Sequence, residues 1–143
     1  MGNKFIARAS VKINVPAFKV WDALTNPKVI KKYFFGTKAI SDWKVGSSLE
    51  FKGVWEGKTY LDKGIILKSE PEKVFQYSYF SSFSGLKDLP ENYQIITYLL
   101  SSENNSTNLS VTQENIDKEE SKNHSEQNWS GVLNSLKDLL ESK

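Results

Sequence analysis

Trp129, Val132, Leu133, Leu136, Leu139 and Leu140 recur at three- and four-residue spacing over the last fifteen residues of the chain. In a helix this spacing gathers them into one broad apolar stripe. Full burial of each such side chain stabilises a fold by about 1.5–3 kcal/mol, an upper figure because unfolded chains already hide part of their surface. A helix with that stripe has to lie against an extended apolar surface. The only such surface on offer is the β-rich middle of the chain. A concave sheet gripping a C-terminal helix would leave space between the two, and function could reside there.

The order of elements agrees with this picture. Phe5 to Asn14 alternates apolar and polar residues with period two and reads as a half-buried strand. Pro16 suits the first turn of a helix, Phe18, Trp21 and Leu24 follow at helical spacing, and Asn26-Pro27 ends that helix. Val29, Ile30, Tyr33 and Phe34 form a second short stripe, closed by Gly36. Strand-like runs follow at Leu49–Trp55, Thr59–Lys68, Val74–Phe80, Tyr93–Leu100 and Asn108–Glu114, with Glu56-Gly57-Lys58 marking a tight hairpin. Residues 81–92 contain Gly85 and Pro90 without periodicity, a long connection of the kind that often serves as a binding loop or lid. Asp117 with Glu120 three residues later offers a capping box for the last helix. The expected fold is α+β, one domain over residues 1–143, in which an antiparallel sheet of about six to seven strands curves around the long C-terminal helix and two short helices follow the first strand.

Bulk properties narrow the functions. The formal charge of +2 comes from lysines scattered along the chain, which is a solubility charge and predicts no nucleic-acid binding. Absence of cysteine excludes disulfides, thiolate metal sites and a Cys nucleophile. The single His124 lies in a polar run and reads as a solvated surface residue. No nucleophile–base pair, phosphate-cradling Gly loop or metal-ligand spacing is present, so neither cofactor nor metal is expected. There is no signal-peptide apolar region, and no run approaches the roughly 20 residues a membrane span needs. The expectation is a cytoplasmic protein with no membrane association.

Four elements in order carry a family resemblance. They are Val15-Pro16-Ala17 with Val20-Trp21-Asp22-Ala23-Leu24-Thr25-Asn26-Pro27, then Val45-Gly46 before Leu49-Glu50-Phe51. Gly64-Ile65-Ile66 before Pro71-Glu72-Lys73-Val74-Phe75 follows, and Asn128-Trp129-Ser130-Gly131-Val132-Leu133 with Leu136 and Leu140 closes the set. Together they resemble the helix-grip fold of the START-like (SRPBCC) superfamily, and within it the small proteins similar to the C-terminal domain of the activator of heat-shock-protein-90 ATPase. Tyr79 stands where that family commonly has Trp, and Asn128 where it has Gly. The resemblance implies the fold; the superfamily hosts lipid carriers, ligand sensors, cyclases and co-chaperones, so it implies function only loosely.

Strand alternation places Leu49, Phe51, Trp55, Tyr60, Asp62, Ile66, Phe75, Tyr77, Tyr79, Ile96, Tyr98, Leu100, Leu109 and Val111 on the face turned toward Trp129, Leu133 and Leu136. An aromatic wall with a few hydroxyls suits a medium-sized apolar or planar ligand. The predicted lining comprises Trp55, Tyr60, Asp62, Phe75, Tyr77, Tyr79, Tyr98, Gln113, Trp129 and Leu133, with an entrance near residues 81–92. The alternative for the same residues is a dry, interlocked core. Asp62 is the sharpest of them. An inward carboxylate needs a donor and would serve as acid, base or anchor, whereas near the hairpin mouth it would simply be hydrated. Gln113 either hydrogen-bonds a ligand or caps its strand. The leading expectation is non-catalytic binding of a hydrophobic or aromatic small molecule. The alternatives are a co-chaperone-like module for a chaperone or other protein partner, and a cyclase- or hydrolase-like enzyme using Asp62 and the tyrosines. Lack of Cys and of a second His weighs against the enzyme, since neutral-pH proton transfer would rest on a tuned carboxylate or phenol.

Overall fold

Seven antiparallel strands and three helices make up the computed structural model, which describes residues 4–81 and 84–142 but not the side chain of Trp55. Strand β1 (Phe5–Ile13) is followed by helices α1 (Ala17–Thr25) and α2 (Pro27–Tyr33). Strands β2 (Lys38–Ser41), β3 (Ser48–Trp55), β4 (Lys58–Glu70), β5 (Val74–Tyr79), β6 (Gln94–Glu103) and β7 (Ser106–Ile116) come next, and α3 (Glu119–Glu141) closes the chain. The spatial order is β1-β7-β6-β5-β4-β3-β2. The sheet is thus a meander from β2 to β7, with the first strand added beside the last. Strand β2, four residues long, is too short to show an alternating pattern in the sequence.

Local chemistry sets the register. Trp55 pairs with Lys58 across Glu56 and Gly57, whose φ angles of 50° and 79° are the two left-handed positions of a type I′ hairpin. At Gly64 an added Cβ would stand 1.6 Å from the Ser78 carbonyl oxygen, so the β4–β5 approach admits only glycine there. The β4–β5 register shifts just beyond, between Ile66 and Lys68.

Helix α3 buries Trp129, Val132, Leu133 and Leu136, while Leu139 and Leu140 pack half-buried beside them. It also shields the β1 edge. Glu126 Oε2 accepts from the Arg8 amide at 3.0 Å, Glu141 Oε2 from the Asn14 amide at 2.8 Å, and Lys137 Nζ donates to the Lys12 carbonyl at 3.0 Å. These contacts occupy part of the outward backbone of β1 and so hinder pairing of another strand there.

Two expectations from sequence are corrected. Phe18 is 58 % exposed, because α1 buries the face of Ala17, Val20 and Leu24, with Trp21 half-buried beside it. The Asp117–Glu120 capping box does not form: the residue at the helix N-cap is Lys118, and no side chain caps it.

Three substitutions test this account by chemical denaturation. Leu136, with no solvent exposure, should cost about 2–5 kcal/mol when changed to Ala. Gly64→Ala should destabilise through its clash with the Ser78 carbonyl. Gly131 lies inside α3 with nothing within 4 Å of an added Cβ, so Gly131→Ala should stabilise by about 1 kcal/mol.

Candidate functional site beneath the long helix

Alternation carries Leu49, Phe51, Asp62, Ile66, Phe75, Tyr77, Ile96, Tyr98, Leu100, Leu109 and Val111 into the interior, opposite Trp129, Leu133 and Leu136. Tyr60, Tyr79 and Gln113 are half-buried around them. Of the sequence-derived candidates, only the Trp55 side chain lies outside the described residues.

The polar groups on this wall engage one another. Asp62 is 8 % exposed rather than hydrated at the hairpin mouth, and the Tyr79 hydroxyl donates to its Oδ2 at 2.7 Å. Burial first, and then the adjacent Asp62 carboxylate, push the Tyr79 phenol well above its ordinary value. Tyr79 therefore stays protonated and remains a donor. Deeper in, Tyr77 and Tyr98 are both buried, and burial raises both phenols above their ordinary value. The hydroxyl of Tyr33, on α2, donates to the Ala23 carbonyl at 2.8 Å. Tyr60 shares a hydrogen bond with the buried Thr37, and its ring fits because Gly53 stands beside it. Gln113 joins two elements: its Oε1 accepts from the Trp129 indole at 2.8 Å, and its Nε2 donates to Gln94.

The rings interlock. Phe75 stacks on Tyr98 with centroids 6.4 Å apart, Phe51 meets Tyr77 at 5.7 Å, and Trp129 meets Tyr98 edge-on at 5.9 Å. One space of about 10 Å³, room for roughly one water, lies among these rings. It is bounded by Leu24, Ile30, Tyr33, Phe34 and Trp43 on one side and by Phe51, Phe75, Tyr77 and Tyr98 on the other. The void thus borders α1 and α2, not the loop at residues 81–92 from which entry was expected. That loop is tied to the outer face of β4 instead. Lys63 pairs with Asp88, the Tyr93 hydroxyl donates to Asp88 at 2.7 Å, and Tyr93 stacks on Phe80 at 5.2 Å. The Lys63 and Tyr93 hydrogen bonds hold the Asp88 carboxyl below its ordinary value.

Tyr33, Phe34, Thr37 and Trp43 escaped the sequence reading as wall residues. Strand parity orders only the sheet, and these four come from α2 and the segments around β2. The stripe of Val29, Ile30, Tyr33 and Phe34 was the available signal, since it marked an apolar face without saying what it covers.

Residues 14–141 match the family model described as activator of Hsp90 ATPase homolog 1-like protein. The chain belongs to this family. Its members' START-like architecture recurs in the solution structure of ChR145 from Cytophaga hutchinsonii, 46 % identical, with a TM-score of 0.85 over 99 % of this chain and 97 % of that one. The solution structure of the Aha1 dimer from Colwellia psychrerythraea is 23 % identical and superposes with a TM-score of 0.76, covering 96 % of both chains. The crystal structure of MLL2253 from Mesorhizobium loti, 21 % identical, gives 0.80 over 96 % of this chain and 97 % of that one. A search of curated proteins finds no match. Among the described residues, no helix is long and apolar enough to cross a membrane.

The buried phenols yield a pH signature. Tyr33, Tyr77, Tyr79 and Tyr98 all have their proton affinity raised by burial, so the folded state holds these protons more firmly than the unfolded state. Their contribution to stability is complete below the ordinary phenol value of 10.0 and is lost as pH rises above it. Tyrosinate absorbance from these four should therefore appear in one step with the loss of circular dichroism. Gradual ionisation with the dichroism intact would contradict the packing described.

Proposed function

We propose that the chain is a non-catalytic, cytoplasmic binding domain that takes a planar, largely apolar small molecule between the sheet and α3. The observation that carries this reading is the set of buried hydrogen-bonding groups in an aromatic wall. The buried hydroxyl-bearing Tyr77 and Tyr98 and the hydrogen-bonded Asp62–Tyr79 pair share the interior with Phe51, Phe75 and Trp129. A few convergent polar groups in an apolar surface are what orient a bound small molecule. Because the space bounded by these rings is only about 10 Å³, uptake there requires side chains to move aside. Catalysis is disfavoured by the Asp62–Tyr79 pair. The Tyr79 phenol, raised by burial and by Asp62, is a poor proton donor to substrate near neutral pH.

A second reading is a protein-interaction module acting on a chaperone, as the family description suggests. Its support is the filled interior together with Val54, Leu61 and Ile65 on the outer face, which are 62 %, 42 % and 48 % exposed. These alternate with Lys52, Lys63 and Glu50 and form no continuous patch, which is ordinary for a solvated sheet face.

Titration with an apolar naphthalene dye separates the readings. Binding to one site with quenching of tryptophan emission is expected, weakened by roughly tenfold, or ~1.4 kcal/mol, in Tyr77→Trp. Absence of dye binding and of any co-purified small molecule, with stimulation of a chaperone ATPase instead, would decide for the protein partner.

A further inference from the structure

We propose that the Phe34 ring is a plug: in this closed structure it occupies the slot that receives the aromatic ring of the ligand. This deepens the small-molecule reading and rests on it for the identity of the wider site. The ring of Phe34 is held as a flat aromatic guest would be. It stacks on Phe51 at 6.2 Å with planes 15° apart and meets Trp129 edge-on at 6.0 Å. It also borders the small void between α2 and the aromatic wall.

The backbone beneath it is a tight turn under strain. The Thr37 amide donates to the Phe34 carbonyl at 2.9 Å, and the intervening Phe35 and Gly36 have φ angles of 55° and 71°. Two consecutive left-handed residues suit Gly36 but not a bulky aromatic such as Phe35, which is nevertheless 58 % exposed. Strain of this kind collects at ligand clamps and switch segments. The turn is anchored on its far side by the buried Thr37 and its hydrogen bond to Tyr60. Rotation about Phe34 to Gly36 would carry the ring outward while leaving β2 in place.

The slot dictates the chemistry of its guest. Phe51 forms its floor, and Asp62 is the residue paired with Phe51 across β3 and β4. Tyr79, bonded to Asp62, lies 6.4 Å from Phe51 by ring centroids. A ring seated on Phe51 therefore has a carboxylate and a phenol at its rim. The ligand class is a planar aromatic carrying a hydroxyl that can enter the Asp62–Tyr79 hydrogen bond.

Displacement by a guest predicts that the plug dilutes the binding-competent state, and that removing it raises apparent affinity by the same factor. The probe is p-cresol, followed by NMR. Phe34→Ala should bind it roughly tenfold or more tightly than the unmodified protein, Phe34→Leu should fall between, and the exposed Phe18→Ala should match the unmodified protein. Toluene should bind Phe34→Ala more weakly than p-cresol does. In the unmodified protein, saturating p-cresol should move the Trp129 indole N–H and the amides of Phe35 to Thr37; silence there overturns the plug whether or not the variants fold. Equal affinity of folded Phe34→Ala and the unmodified protein also overturns it. If the naphthalene dye still binds in that case, the small-molecule reading survives without the plug. If Phe34→Ala gains p-cresol affinity while the unmodified protein takes no dye, the slot stands and the functional reading falls.

Discussion

The contact between α3 and the concave sheet is what every other feature depends on. Leu133 and Leu136 are 1 % and 0 % exposed, and Leu109, Val111 and Phe75 of the sheet, in the same core, are equally closed to solvent. That burial requires the sheet to curve, and it requires β1 to lie beside β7, where α3 can run along its edge. Glu126, Lys137 and Glu141 then satisfy outward backbone groups of β1 and Asn14. One helix thus supplies both the hydrophobic closure of the interior and the protection of an edge. Neither function is separable from the other, since the polar contacts lie along the flank of the same apolar stripe.

Given that grip, the interior is closed by aromatic rings from three sources. The sheet supplies Phe51, Phe75, Tyr77 and Tyr98, α3 supplies Trp129, and the turn after α2 supplies Phe34. Rings fill space well but leave hydroxyls and an indole N–H that need partners when buried. The structure answers by pairing Tyr79 with Asp62 and Trp129 with Gln113. The interior therefore has the density of a core with its polar groups set among the rings.

The sequence carried the architecture and the inward face of the sheet, and it did so for simple reasons. Side-chain alternation in strands and 3.6-residue periodicity in helices are local, so Asp62, Tyr77, Tyr98 and Trp129 could be placed inward from spacing alone. Hairpin chemistry at Glu56-Gly57 is equally local, as is the demand of the Trp129–Leu140 stripe for a large apolar partner. Tertiary structure decided what periodicity cannot express. It determined that α1 turns Phe18 outward, that β2 adds a seventh strand, that Asp62 finds Tyr79, and that Gln113 joins Trp129 to Gln94. It also determined that the segment at residues 84–93 is fastened to the outer face by Lys63 and Asp88, and that Phe34 fills the space beneath α3. Each of these depends on which two distant segments meet, and on how much volume their side chains leave between them. Pairing and volume are properties of the assembled chain, and no window of its sequence contains them.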